Sequence, residues 1–131
     1  MEDFNRQQLE TVRMKKVSLT REYDKSEAVN SFLINGERMW LDKATRVGLV
    51  NSTQIAKAAG VETIVLWNGD KSYNIPCDTM LQMLSVLELY AMECYNVTAK
   101  HLANINSLDD LNKLWNYNYT KGYPKRLEFF V

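Results

Sequence analysis

Phe32-Leu33-Ile34-Asn35-Gly36-Glu37-Arg38-Met39 and Ile64-Val65-Leu66-Trp67-Asn68-Gly69-Asp70-Lys71-Ser72-Tyr73 each set an Asn-Gly pair between β-prone runs. A two-residue type I′ turn needs φ > 0 at both central positions, which Asn and Gly adopt cheaply, so each stretch predicts a β-hairpin. In the first, strands over about 28–34 and 37–41 put Phe32 opposite Met39, Leu33 opposite Arg38 and Ser31 opposite Trp40. In the second, Ile64 falls opposite Tyr73 and Leu66 opposite Lys71, while Thr63, Val65 and Trp67 occupy the other face. Pro76 then ends the strand, because proline cannot continue a ladder.

Outward from the turns, each hairpin feeds a helix. Asp42 is placed to cap the first. Its expected apolar stripe is Leu41, Ala44, Val47, Ile55 and Ala58, with Lys43, Arg46, Thr53 and Lys57 opposite and Gly60 just past its end. Asp78 opens a much longer helix over about 79–106. Met80, Leu84, Leu87, Ala91, Cys94, Leu102 and Ile105 spread over a wide apolar arc, leaving a narrow polar stripe of Gln82, Ser85, Glu88, Asn96 and Lys100. That pattern predicts the central core helix. Ser107-Leu108-Asp109-Asp110 reads as the cap of a short helix through Leu111, Leu114 and Trp115. The alternation of Leu127, Phe129 and Val131 ends the sequence in a strand.

Residues 1–16 are polar, with Phe4, Leu9 and Val12 as the main apolar points, and read as a flexible or partner-docked N-terminal arm. Val17, Leu19 and Tyr23 alternate like an edge strand. The expectation is an arm at 1–16 followed by one compact α+β domain over 17–131. That domain holds two Asn-Gly hairpins each followed by a helix, a long central helix, a short C-terminal helix and a terminal strand.

At 131 residues, with 46% hydrophobic and 24% charged residues, the composition is that of a globular domain. Sixteen basic and sixteen acidic residues cancel, so no global field steers the chain toward nucleic acid or anionic membranes. No apolar run approaches the roughly 20 residues a membrane span needs. The first residues lack a signal-peptide pattern, which predicts synthesis in a cytoplasm. There Cys77 and Cys94 are expected as free thiols.

The chemistry-bearing residues are few. His101 follows Cys94 by two helical turns, about 10 Å along the axis, too far for one zinc or a nucleophile–base pair. Asp109-Asp110 sits where a helix first turn favours negative charge. Phosphate loop, paired CxxC and nucleophile elbow are all missing from the sequence. The expectation is a protein with no catalytic residue, no metal and no cofactor. In the C-terminal loop Tyr117, Tyr119 and Tyr123 alternate with Lys121, Lys125 and Arg126, a pattern that single-stranded nucleic acid binding uses. Neutral net charge favours the alternative that the rings fasten the last strand to the core.

Three runs carry a resemblance: Met39-Trp40-Leu41-Asp42-Lys43-Ala44-Thr45-Arg46, Leu87-Glu88-Leu89-Tyr90-Ala91-Met92-Glu93-Cys94-Tyr95-Asn96-Val97-Thr98, and Tyr119-Thr120-Lys121-Gly122-Tyr123-Pro124. Over about residues 28–128 the sequence resembles a short domain that recurs in tail-fibre and tail-assembly-associated proteins of tailed bacteriophages and prophages. The resemblance implies a virion structural or adaptor protein, non-enzymatic, made in the bacterial cytoplasm and carried in the virion. It further implies contacts with other phage structural proteins and repeated or homo-oligomeric copies, with no membrane. It transfers no catalytic residue. Phe4, Leu9, Val12, Tyr117, Tyr119 and Tyr123 are the candidate interaction residues, and a small nucleic-acid-binding module built on the C-terminal loop is the alternative.

Overall fold

The computed structural model describes residues 2–131. Its elements are α1 (Glu2–Asp24), β1 (Phe32–Ile34), β2 (Glu37–Met39), α2 (Lys43–Ala58), β3 (Thr63–Asn68), β4 (Lys71–Pro76), α3 (Cys77–Ser107), α4 (Leu111–Trp115) and β5 (Leu127–Phe129). This is an α+β fold. The chain divides into two compact units. One holds the residues to Asn30 with Met92–Pro124, the other Ser31–Ala91 with Lys125–Val131, so α3 contributes residues to both. The structure therefore places no boundary at residue 16.

In the sheet-bearing unit, β1 and β2 pair as the first Asn-Gly turn dictates, Phe32 with Met39, Leu33 with Arg38 and Ile34 with Glu37. Asn35 (φ 48°) and Gly36 (φ 81°) both take positive φ, the requirement of a type I′ turn. β5 joins β1 in parallel to give the order β2-β1-β5. The Asn35 side chain extends that pairing, donating to the Val131 carbonyl at 3.0 Å and accepting from its N–H at 2.9 Å. Phe32, Ile34, Met39, Leu66, Ile75, Met80, Leu84 and Leu87 form the core of this unit. Burial of each such side chain stabilises the fold by about 1.5–3 kcal/mol before entropy is counted.

The second hairpin differs from the sequence expectation. Its pairs are Ile64 with Ile75, Leu66 with Tyr73 and Asn68 with Lys71, two residues away from the expected register. Gly69 and Asp70, not Asn68 and Gly69, form the loop. Only Gly69 (φ 64°) has positive φ, which suits a type II′ turn with glycine first. The shift leaves Asn68 as a strand residue, where its amide donates to the Arg38 carbonyl at 3.2 Å, while Lys71 bridges Glu37 at 2.7 Å. Because two residues is the side-chain period, Ile64, Leu66 and Tyr73 keep their shared face.

Asp42 caps α2 by accepting from the Thr45 N–H at 2.8 Å. That bond chiefly holds its carboxyl below the usual carboxylate range. The expected stripes on α2 hold only in part. Leu41 is buried and Lys43 and Lys57 are exposed as expected. But Arg46 and Thr53 are buried, Leu49 and Val50 pack on the core, and Ala44, Val47, Ile55 and Ala58 face solvent. Burial of Arg46 follows from its partners. Its guanidinium donates to the Leu41 carbonyl (2.7 Å) and Glu88 (2.8 Å) and lies 5.2 Å from the Trp40 ring centre. A charge so satisfied tolerates burial.

In the helical unit, residues expected as an arm and an edge strand form one continuous helix, α1. Its inner stripe runs through Leu9, Val12, Arg13, Lys16, Val17, Leu19, Thr20 and Tyr23, all at least half-buried. Two cations interrupt the apolar spacing, and each meets a carbonyl. Arg13 donates to the Ile105 carbonyl in the last turn of α3 at 2.6 Å, and Lys16 to the Tyr117 carbonyl at 3.2 Å. Carbonyls at a helix C-terminus have no intrahelical partner and carry partial negative charge, so Arg13 satisfies both needs. The short helix α4 packs on α1. Its cap is Asp110, accepting from the Lys113 N–H at 3.0 Å, and not Ser107, whose hydroxyl turns back to the Asn104 carbonyl within α3.

Candidate interaction surface

An open apolar groove of about 580 Å³ runs between α1 and α4, lined by Phe4, Gln7, Gln8, Thr11 and Val12 on one side and Leu111, Asn112 and Trp115 on the other. Helical spacing creates it: residues 4, 7, 8, 11 and 12 share one face of α1. On α4, Leu114 is fully buried and fixes the helix, which leaves Leu111 and Trp115 outside. Trp115 is 61% exposed and Phe4 58%. A second hollow, of about 320 Å³, continues along the helix past Trp115 and is lined by Val12, Lys15, Lys16, Leu19 and Trp115. From Phe4 to Leu19 the combined face is about 22 Å long at 1.5 Å per residue, roughly four helical turns. Lysines border its far end, and among the described residues no carboxylate lines either hollow.

Of the six sequence candidates, Phe4 and Val12 line this groove. Leu9 lies half-buried on the inner stripe of α1 and does not. The three tyrosines are turned into the helical unit. The Tyr117 hydroxyl meets His101 Nδ1 at 2.6 Å and accepts from the Asn104 amide at 3.1 Å. The Tyr123 hydroxyl meets Thr98 Oγ1 at 2.6 Å, and Thr98 donates to Asp24 at 2.8 Å. Burial pushes the Tyr123 hydroxyl above its usual pKa. Tyr119 packs edge-on against Tyr23, with the Lys16 ammonium 5.8 Å from its ring centre. Leu111 and Trp115 were legible only as apolar positions of a short helix, and Gln7, Gln8, Thr11 and Asn112 gave no signal.

The titratable groups are locked in the same way. His101 Nε2 faces the Lys121 carbonyl at 2.7 Å and must carry the proton there, so in the neutral ring Nδ1 accepts from Tyr117. The Cys94 thiol is buried against the Val29 carbonyl, and Cys77 donates to the Val61 carbonyl at 3.3 Å. Among the described residues, no group of three His, Cys, Asp or Glu side chains is placed to hold a metal, and no helix is long and apolar enough to cross a membrane. No protein-family model, curated protein or solved structure matches the chain.

Proposed function

We propose that this chain is a non-enzymatic adaptor of a tailed-phage particle or its assembly line, seating a helix of another particle protein in the α1–α4 groove. The observation that carries the docking reading is the pairing of two large, exposed aromatics, Phe4 and Trp115, across the first hollow of a face that runs on for about four helical turns. A rigid tryptophan beside a pocket is the kind of anchor that dominates binding energy at protein interfaces. A groove of this length suits an amphipathic helix presenting apolar side chains along one face. Lys15 and Lys16 at one end, with no carboxylate among the described lining residues, favour an occupant with acidic residues flanking that face. The phage setting rests on the sequence resemblance alone. The aromatic–basic loop supports a nucleic-acid site less well, because its tyrosines are engaged by His101, Thr98 and Tyr23.

The test is incorporation. Phage particles and their assembly intermediates are purified from infected cells producing either the natural chain or variants Phe4→Glu and Trp115→Glu, and analysed by mass spectrometry. The natural chain is expected with the particle or an intermediate, and both variants are expected to be lost while remaining folded by circular dichroism. Absence of the natural chain from every fraction refutes the phage role. Undiminished incorporation of both variants refutes the groove.

A further inference from the structure

The two outer edges of the three-stranded sheet are finished differently. At β2 the side chains are the charged Glu37 and Arg38, and the Arg38 carbonyl, which points away from β1, is taken by the Asn68 amide. Charge and capping are the usual devices that stop an edge from recruiting another strand. The β5 edge carries one charge, Glu128, and among the described residues no such cap. The Asn35 N–H donates to the Phe129 carbonyl at 2.8 Å, and Asn35 also holds both backbone groups of Val131, so residues 127, 129 and 131 point their backbone toward β1. In a parallel ladder the alternate residues then point theirs outward, which leaves Glu128 and Phe130 on the free edge. Among the described residues, no hydrogen bond reaches either backbone from another element. Phe130 is 79% exposed, and beside it a hollow of about 260 Å³ is lined by Thr79, Gln82, Met83 and Val86 of α3 with Phe129, Phe130 and Val131.

We infer that β5 is a dimerisation strand, pairing antiparallel across a two-fold axis with β5 of a second copy of this chain. A second copy fits this short edge because the two outward residues are reciprocal. With Phe129 on the axis, Glu128 of each chain faces Phe130 of the other, and both pairs exchange N–H and carbonyl bonds, four in all. The register centred on Glu128 sets two carboxylates opposite each other and is disfavoured. In the register centred on Phe129, Leu127 meets Val131 of the other chain, and the two Phe130 rings are diagonal neighbours within reach of each other. An isologous contact of this kind closes on itself and yields a six-stranded sheet rather than a fibre. The inference does not depend on the groove or on a phage setting.

The experiment is sedimentation equilibrium on the full chain at concentrations up to a few hundred micromolar. The natural chain is expected to reach the dimer mass. Phe130→Lys, at an exposed position, is expected to weaken the dimer by tenfold or more while leaving the fold intact. Glu128→Pro removes an outward N–H without touching the β1–β5 ladder, and is expected to do the same. An equal mixture of Glu128→Cys and Phe130→Cys chains is expected to form a mixed disulfide faster than either variant crosslinks alone. A natural chain that stays monomeric, or a dimer indifferent to Phe130→Lys, overturns the interface. Faster crosslinking of Glu128→Cys with itself overturns the register.

Discussion

Replacing Tyr117 by phenylalanine removes one oxygen and tests whether the aromatic loop is fastened as its geometry indicates. That oxygen donates to His101 Nδ1 and accepts from Asn104. Asn104 is exposed and returns its amide to water at little cost. His101 is only 9% exposed, and its other nitrogen is committed to the Lys121 carbonyl, so Nδ1 is left as a buried acceptor without a donor. Leaving such a group unsatisfied costs about 1–3 kcal/mol, so a loss of about 2 kcal/mol is expected. With an unfolding entropy of about 2.1 cal/mol/K per residue, this lowers Tm by about 7 °C in a chain of this length. Tyr119→Phe is the internal control, because Tyr119 acts through its ring against Tyr23 and Lys16. It is expected to shift Tm by less than about 2 °C, the range of a substitution that disturbs no buried polar group. Differential scanning calorimetry of the two variants and the natural chain reads both numbers. Equal, small shifts for Tyr117→Phe and Tyr119→Phe refute the latch and return the loop's hydroxyls to solvent.

Five further substitutions, at four positions, probe other parts of the fold. Asn35→Ala forces alanine into the left-handed region and removes both bonds to Val131, so urea unfolding is expected to show a loss of about 2–3 kcal/mol. Asn35→Gly, which keeps only the turn, is expected to recover about half of that. Arg46→Met keeps an aliphatic body near Trp40 but strands the buried Leu41 carbonyl, and is expected to cost about 1–3 kcal/mol. Glu88→Gln, at a half-exposed position, is expected to cost less in the same assay. Asp42→Asn keeps a capping oxygen but no charge. Because the folded state depresses the Asp42 pKa, its contribution is present above the unfolded carboxylate pKa and lost as pH falls through the lower folded value. The Tm difference from the natural chain is therefore expected at neutral pH and absent in acid; a difference unchanged down to pH 2 contradicts the linkage.

What could be read from sequence depended on whether the buried face was apolar. α3 was legible because Met80, Leu84, Leu87, Cys94 and Ile105 recur at helical spacing and are all buried. The first hairpin was legible because Asn35 and Gly36 are the two residues a type I′ turn demands. α1 was not, because Arg13, Lys16 and Thr20 occupy its inner stripe: the bonds of Arg13 to Ile105 and of Lys16 to Tyr117 come from tertiary structure, while Thr20 turns its hydroxyl back to the Lys16 carbonyl of its own helix. The same holds for α2, where Arg46 takes a core position through Trp40, Leu41 and Glu88. The second hairpin shows a subtler limit. Alternation assigned its faces correctly, since a two-residue slip preserves them, but only the bonds of Asn68 and Lys71 to the neighbouring hairpin select between Asn-Gly and Gly-Asp as the loop.

The groove was legible by the same logic, and only in halves. Phe4 and Val12 stood out as apolar points in a polar stretch, which identifies residues without a covered partner but not what faces them. On α4 three apolar residues at positions 111, 114 and 115 could not all be buried by a five-residue helix against a single neighbour. Geometry chose Leu114, and that choice sends Trp115 outward toward the exposed face of α1. A tryptophan held outside by the burial of its own neighbour is fixed in position at little entropic cost on binding, which is the property a docking anchor needs. A Leu114→Ala substitution therefore separates position from exposure. It leaves Trp115 and Phe4 in place chemically but loosens α4, at a cost of about 2–5 kcal/mol in stability. If rigid placement of Trp115 carries binding, incorporation into particles falls with this variant even at temperatures where the chain stays folded. Incorporation that survives Leu114→Ala but not Trp115→Glu assigns the role to the exposed ring itself.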